Sequence, residues 1–318
     1  MVARLVLAAA VCLTAVSCNS LFDSYFPETV EYLDSQVSLT DALGGKTVVS
    51  IQLNYLPATS AHGADILAVV AGTSDGGSHV LFYNPSNLSL RKSYTDDDLR
   101  AQNSGTVPYL GLIAQDSVGL YTGTLSYNPQ TLAFTTTSYT GTLFVAGGLQ
   151  GVRAAWNETV ALSVAFGPSG GLGYSSDSLY SNLPSLSAGL VFSGGSFTVL
   201  DAAYVGGMYR VVASQNSSAL LITGNGPATM GLSATESMGQ SDSSGGGGWV
   251  TSGAAIVQSK NNNSTTLTAY SWSGDSLGTL HLYTANNQIN ALAFDPRGGS
   301  WYLFDSSTGK LSRNRPWW

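Results

Sequence analysis

Ala293-Phe294-Asp295-Pro296-Arg297-Gly298-Gly299-Ser300-Trp301-Tyr302-Leu303-Phe304-Asp305 reads as two strands joined by a tight turn: an apolar run, then Asp, Pro and two glycines, then a second apolar run. A polar turn from Ser306 to Gly309 leads on to Leu311. Pieces of this stretch recur upstream. Ala165 to Gly171 (Ala-Phe-Gly-Pro-Ser-Gly-Gly) matches its first half 128 residues earlier, and Gly76 to Asn84 matches its second half 222 residues earlier. The turn Tyr83-Asn84-Pro85 returns 44 residues on as Tyr127-Asn128-Pro129. One interval near 44, taken once, three times and five times, accounts for all three spacings, which is the mark of a repeat architecture.

Composition agrees. The 318 residues exceed what one compact core usually organises, and only 10% are charged against about 25% in an ordinary globular domain. With so few Lys and Glu, exposed surface must be made of Ser, Thr, Asn and Gly, which suits strands and turns better than helices. From Lys46 onward, apolar runs of five to eight residues alternate with Gly, Asn, Ser and Pro clusters, and no segment of 12 residues shows helical periodicity. The chain is expected to be all-β.

An interval of about 44 is the length of one four-stranded propeller blade, and it resembles the spacing of WD40-like and NHL-like repeats, a likeness to the superfold and not to a named family. Gly76 and Gly298, taken as equivalent points five intervals apart, imply six blades; seven would need intervals of only 37. The expected organisation is a β-propeller over residues 47–318, with Thr47 to Tyr55 pairing near Leu311 to close the ring. An outer-membrane barrel is disfavoured, because residues counted back at alternate positions from Trp318 are Pro316, Asn314, Ser312 and Lys310 in place of a lipid-facing apolar row.

The amino terminus carries an address. Arg4 precedes an apolar run from Leu5 to Leu13, then small residues up to Ser17, which reads as a secretory signal over residues 1–17. Thr14-Ala15-Val16-Ser17-Cys18 resembles the lipobox of bacterial lipoproteins, which implies cleavage before Cys18 and acylation of its thiol and new amino group. Of two cysteines, Cys12 leaves with the leader, so Cys18 would have no disulfide partner in the mature exported chain. Acyl chains on Cys18 would make the membrane a partner and the cell envelope the location, and Asn19 after the cysteine resembles the pattern sent to the outer membrane. Residues 18–46 form an anchored acidic arm with Asp23, Glu28, Glu31, Asp34 and Asp41. It is too apolar to be a flexible tether throughout, so a short helix or extended piece ending near Gly44-Gly45 is expected.

No constellation for chemistry stands out. Gly72 to Gly76, Gly167 to Gly171 and Gly274 to Gly278 fit Gly-x-Ser-x-Gly, but they sit between strands, whereas a nucleophile elbow needs a strand-to-helix turn. Gly274-Asp275-Ser276-Leu277 also resembles the block of GDSL esterases, but it is followed only by His281 and lacks that family's later Asp-x-x-His. Asp96-Asp97-Asp98 before Leu99-Arg100 reads as a helix-capping turn and lacks the alternating ligands of a calcium loop. His62, His79 and His281 have no His or Cys partner at metal-ligand spacing. No catalytic, metal or cofactor-binding residue is assigned, and no cofactor is expected.

The net charge of −7, with basic residues scattered, argues against nucleic acid. Ser233 to Gly248 has the composition of a mobile loop, either disordered or a binding loop carrying Glu236, Asp242 and the adjoining Trp249. The functional expectation is a membrane-anchored, non-enzymatic scaffold for a protein partner in the envelope. The alternative is a carbohydrate-binding protein or hydrolase with its site at the mouth of the propeller channel.

Overall fold

The structure is a computed structural model that describes residues 29–56, 58, 64–103, 114–115, 120–122, 125–128, 130–135, 151–155, 162–166, 172–175, 198–205, 208–215, 218–224, 234–240, 247–261, 264–283 and 290–318. A single turn of helix, Thr29–Tyr32, leads into β1 (Leu33–Ser38), and a second turn, Leu39–Ala42, leads to the ring. Among the described residues six antiparallel sheets follow, five of them each from one continuous stretch of chain and the sixth completed by β1.

Blade one is β2 (Val48–Leu56), β3 (Ile66–Thr73), β4 (Ser78–Tyr83) and β5 (Leu90–Tyr94). Blade two is β6 (Ala114–Gln115), β7 (Leu120–Thr122) and β8 (Leu125–Tyr127), and blade three is β9 (Gly151–Ala155), β10 (Leu162–Phe166) and β11 (Leu172–Ser175). Blade four is β12 (Thr198–Val205), β13 (Met208–Gln215), β14 (Ser218–Gly224) and β15 (Ala234–Gln240). Blade five is β16 (Gly248–Val250), β17 (Ala255–Asn261), β18 (Ser264–Tyr270) and β19 (Ser276–Tyr283). Blade six has β20 (Asn290–Phe294), β21 (Trp301–Asp305) and β22 (Lys310–Asn314), and takes its fourth strand, β1, from the other end of the chain.

The first strand of each blade is innermost: β6 touches β9, β9 touches β12, β12 touches β16, and β20 touches β2. Among the described residues this is the arrangement of a β-propeller, with six sheets as its blades and neighbouring sheets meeting through their innermost strands. Closure differs from expectation in one respect. The strand that seals the ring is Leu33–Ser38, paired with Lys310–Asn314 from Leu33↔Asn314 to Ser38↔Lys310. The stretch expected to do so, Thr47 to Tyr55, supplies the innermost strand of blade one.

The repeat is also more regular than the matched fragments suggest. The third strands of the six blades begin at Ser78, Leu125, Leu172, Ser218, Ser264 and Lys310, steps of 47, 47, 46, 46 and 46. Of the three fragment matches, Tyr83-Asn84 and Tyr127-Asn128 are equivalent, since both open the turn after the third strand, and each Asn carbonyl accepts from the residue four further on, Leu88 N or Leu132 N. Gly76 opens the third strand of its blade, whereas Gly298 opens the second strand of blade six, so that match joins unlike positions. The same is true of Ala165 and Ala293. The blade count survives because five full steps from Ser78 reach Lys310.

Blades stick together through apolar seams. Between blades six and one, Leu53, Val69, Leu81, Tyr83, Tyr302, Phe304 and Leu311 form a core that Leu39 and Leu43 cap. Between blades five and six, Trp249, Ile256, Leu280, Phe294 and Trp301 pack, with Trp317 and Trp318 against them. Trp301 is fully buried, with its ring edge-on to Trp317 at 5.4 Å and Nε1 donating to the Arg315 carbonyl at 2.8 Å. Burying a side chain of this kind contributes about 1.5–3 kcal/mol. The helix Asp96–Gln102 carries the expected cap: Thr95 Oγ1 accepts from Asp98 N, and the Asp98 carboxylate accepts from Thr95 N. The turn Leu39–Ala42 ends on Gly44 and Gly45, with φ of 69° and 83°.

Candidate functional site

The face of the ring that carries the turns after the first and third strands holds a cleft of about 520 Å³ between blades one and six. It forms where the innermost strands β2 and β20 end. Its centre is the turn Asp295–Ser300, whose shape follows from its sequence. Asp295 Oδ1 accepts from Arg297 N at 2.9 Å, Asp295 O accepts from Gly298 N at 2.8 Å, and Gly298 takes the positive φ of 78° that a side chain resists. The turn throws the Arg297 guanidinium across to blade one.

There it meets Asp65 and Tyr55. Arg297 Nη2 donates to Asp65 Oδ2 and to the Tyr55 hydroxyl, and Arg297 Nε donates to Asp295 Oδ1 at 3.0 Å. Tyr55 donates its own proton to Asp65 Oδ2 at 2.8 Å, and the Ala58 N–H reaches Asp65 Oδ1 at 2.7 Å. The Tyr55 ring lies 5.7 Å from the guanidinium carbon and is stacked on Tyr302 at 5.7 Å, whose hydroxyl donates to the Pro85 carbonyl at 3.2 Å.

Electrostatics follow from this bonding. Burial would raise the Asp65 carboxyl, but the Arg297 guanidinium, the Ala58 N–H and the Tyr55 hydroxyl outweigh it and hold Asp65 below the usual carboxylate range. Burial, then the neighbouring Asp295 and Asp65 charges, push the Tyr55 phenol far above its ordinary value, so it stays protonated as a donor. Of the other two arginines at the cleft, Arg313 is ion-paired with Asp34, and Arg91 donates to the Gln130 carbonyl of the next blade at 3.4 Å. Two carboxylates and no histidine line the cleft among the described residues. Among those residues, no three His, Cys, Asp or Glu side chains gather so as to hold a metal ion.

The residues singled out in the sequence lie elsewhere. Trp249, expected at a rim, is in the innermost strand of blade five, 7% exposed, with its ring 4.9 Å from that of Phe294. Glu236 is in β15, opposite Leu221, so the expected loop over 233–248 contains the outer strand of blade four; Asp242 lies outside the described residues. Cys18 and His62 also lie outside them. His79 is buried in β4, and burial, then the Lys46 charge, lowers its imidazole pKa. His281 is on the exposed side of β19.

The sequence reading missed Tyr55, Asp65 and the role of Arg297. Asp295-Pro296-Arg297 stood in the decisive stretch but was read only as a turn. Asp65 is 232 residues from Arg297, and only ring closure brings them together.

No protein-family model matches the chain, and no curated protein matches it in sequence. Among solved structures, it is similar to the β-propeller domain of Cps50 (Swd1) from Myceliophteria thermophila, with 9% identity, 90% of this chain and 99% of that chain covered, and a TM-score of 0.45. It is also similar to the Dos1 propeller, with 10% identity, 87% and 82% covered, and a TM-score of 0.41. Raptor from Chaetomium thermophilum aligns at 9% identity over 85% of this chain and 24% of that one, with a TM-score of 0.43. The fold rests on the strand order and register above, not on these likenesses.

Proposed function

We propose that the protein is a non-enzymatic scaffold, anchored to the cell envelope through acyl chains on Cys18 and presenting propeller turns to a protein partner. The observation that carries the non-catalytic part is the state of the cleft. Arg297, Asp65, Asp295 and Tyr55 satisfy one another, and Asp65 is held ionised well below neutral pH. A general acid or base works best with a pKa near the operating pH, which is the opposite arrangement. A network of this kind locks the junction of blades one and six, which holds the turns of the ring in the fixed geometry that a preorganised recognition surface needs.

Two measurements test the reading. Cells given an alkyne-tagged palmitate should label the wild-type chain and leave Cys18→Ala unlabelled and released from the membrane. In-cell cross-linking should yield the same adduct from wild type and from Asp65→Asn, because the cleft carboxylate performs no reaction. A soluble glycan that stabilises the wild type against heat, but not Tyr55→Ala, would instead favour the carbohydrate-binding alternative.

A further inference from the structure

The register of blade six fixes where the anchor leaves the ring. Leu33 pairs with Asn314, Asn314 with Trp301, and Trp301 with Phe294, so all four mark the end of the blade that bears the Asp295–Ser300 turn. The chain therefore enters β1 on the cleft face. The approach is pinned as well: Arg315 N donates to the Tyr32 carbonyl at 2.8 Å, and Arg315 Nη2 donates to the Glu31 carbonyl at 3.0 Å. Only residues 19–28 separate Cys18 from the helix Thr29–Tyr32, and ten residues reach at most about 36 Å. A tether of that length reaches a bilayer beneath the cleft face directly. To reach one on the far side it would first run back along the whole of blade six.

Charge and aromatic placement favour the same orientation. In and beside blades one and six, the cleft end carries Arg91, Arg297, Arg313 and Arg315 against Glu31, Asp34, Asp65 and Asp295, four of each sign, with Lys92 within β5 opposite Phe82. The opposite end carries Asp41, Asp75, Asp96, Asp97, Asp98 and Asp305 against Lys46, Arg100 and Lys310, six acids to three bases. An anionic headgroup layer repels the second and tolerates the first. Trp318, half-buried, sits on the cleft side beside the Thr251–Ala254 turn, where an amphipathic ring can rest at headgroup depth, and Trp317 packs beneath it against Trp301 and Phe294.

We propose that the propeller rides with its cleft face toward the bilayer, Trp318 at the headgroups, leaving the opposite face of blades one and six outward for the soluble partner. The proposal rests on acylation of Cys18. Its test uses the acylated full chain, in which that cysteine is blocked and single new cysteines report position.

Ser86→Cys and Ser273→Cys lie on the cleft face, Ser74→Cys and Ser307→Cys on the opposite one, and all four positions are exposed. Each is labelled with a donor dye and reconstituted in phosphatidylethanolamine and phosphatidylglycerol vesicles with a headgroup-linked acceptor. Strands of up to nine residues put about 30 Å between the faces, so energy transfer from the cleft-face sites should exceed that from the others at least about twofold. Equal transfer from both faces, or the reverse order, overturns the orientation while leaving the anchor intact. Mass analysis of the Cys18 peptide in the same preparations separates the two failures: an unacylated peptide sinks the anchored reading, and the orientation falls with it.

Discussion

Arg297 stands at the point where the last blade meets the first. Its guanidinium holds together two carboxylates that would otherwise repel each other across a partly dry cleft. Removing it leaves Asp65 and Asp295 without their cation, and Arg297→Ala should cost roughly 1–3 kcal/mol, less than a fully buried pair because Arg297 is over a third exposed. The sign of the pH effect follows from Asp65. Its folded pKa lies below its unfolded one, so the stabilisation is full above the ordinary carboxylate value and is lost as pH falls through the folded value. In Arg297→Ala the burial that opposes ionisation is no longer outweighed by the guanidinium, and the acid limb should begin at higher pH than in wild type. Urea midpoints at pH 7 and across pH 2 to 5 measure both effects. Unchanged midpoints would mean that the network holds nothing together.

At the scale of elements, the closing strand decides whether the ring has an edge. β1 shows the alternation of a half-buried outer strand, with Val37 packed on the core between blades six and one and Gln36 exposed. That pattern is weak in the sequence because Asp34, Ser35 and Gln36 sit among other acidic residues, and the segment looks like part of an arm. The longer apolar run at 47–55 was the stronger candidate, since edge strands are short and polar by necessity. The core strands were legible for the opposite reason: the runs at 66–71 and 79–83 are apolar on both faces, and both faces are buried. A helix start at Asp96-Asp97-Asp98 was legible because capping is local chemistry, although the capping residue itself is Thr95. Breaking β1 gives a direct test. In an antiparallel pair successive residues point their N–H groups to opposite sides, so Gln36→Pro with Val37→Pro must remove one bond to β22 whichever residue faces it. The double variant should lose roughly 1–3 kcal/mol and self-associate with rising concentration through the bared β22 edge, seen by light scattering. A monomer as stable as wild type would mean that β1 is not needed to seal the ring.

At the scale of the whole molecule, the ring is a repeat whose register lies in one strand and not in the conspicuous turns. The third strands keep a step of 46 or 47 residues, while the first interval between innermost strands, Val48 to Ala114, stretches to 66 because the helix Asp96–Gln102 and the residues after it intervene. Glycine-rich turns recur after any strand, so matching them counts turns as well as blades. The cleft was illegible for a related reason: its residues come from both ends of the chain and meet only when the circle closes. That closure is non-covalent, one antiparallel ladder joining residues 33–38 to 310–314, and it predicts where the ring opens first. Gln36 and Ser312 are direct partners across the seam. Replacing both with cysteine, in a Cys12→Ser and Cys18→Ser background to avoid mispairing, would close a loop of 276 residues from position 36 to 312. In chain-entropy terms a bridge over that length stabilises by up to about 5 kcal/mol, a ceiling that strain in the native pair lowers. The melting temperature of the oxidised protein should exceed that of the same protein reduced by several degrees, and the oxidised form should also unfold more slowly in urea. If oxidised and reduced forms melt together, the seam between β1 and β22 is not where unfolding begins, and the ring yields first at another pair of blades.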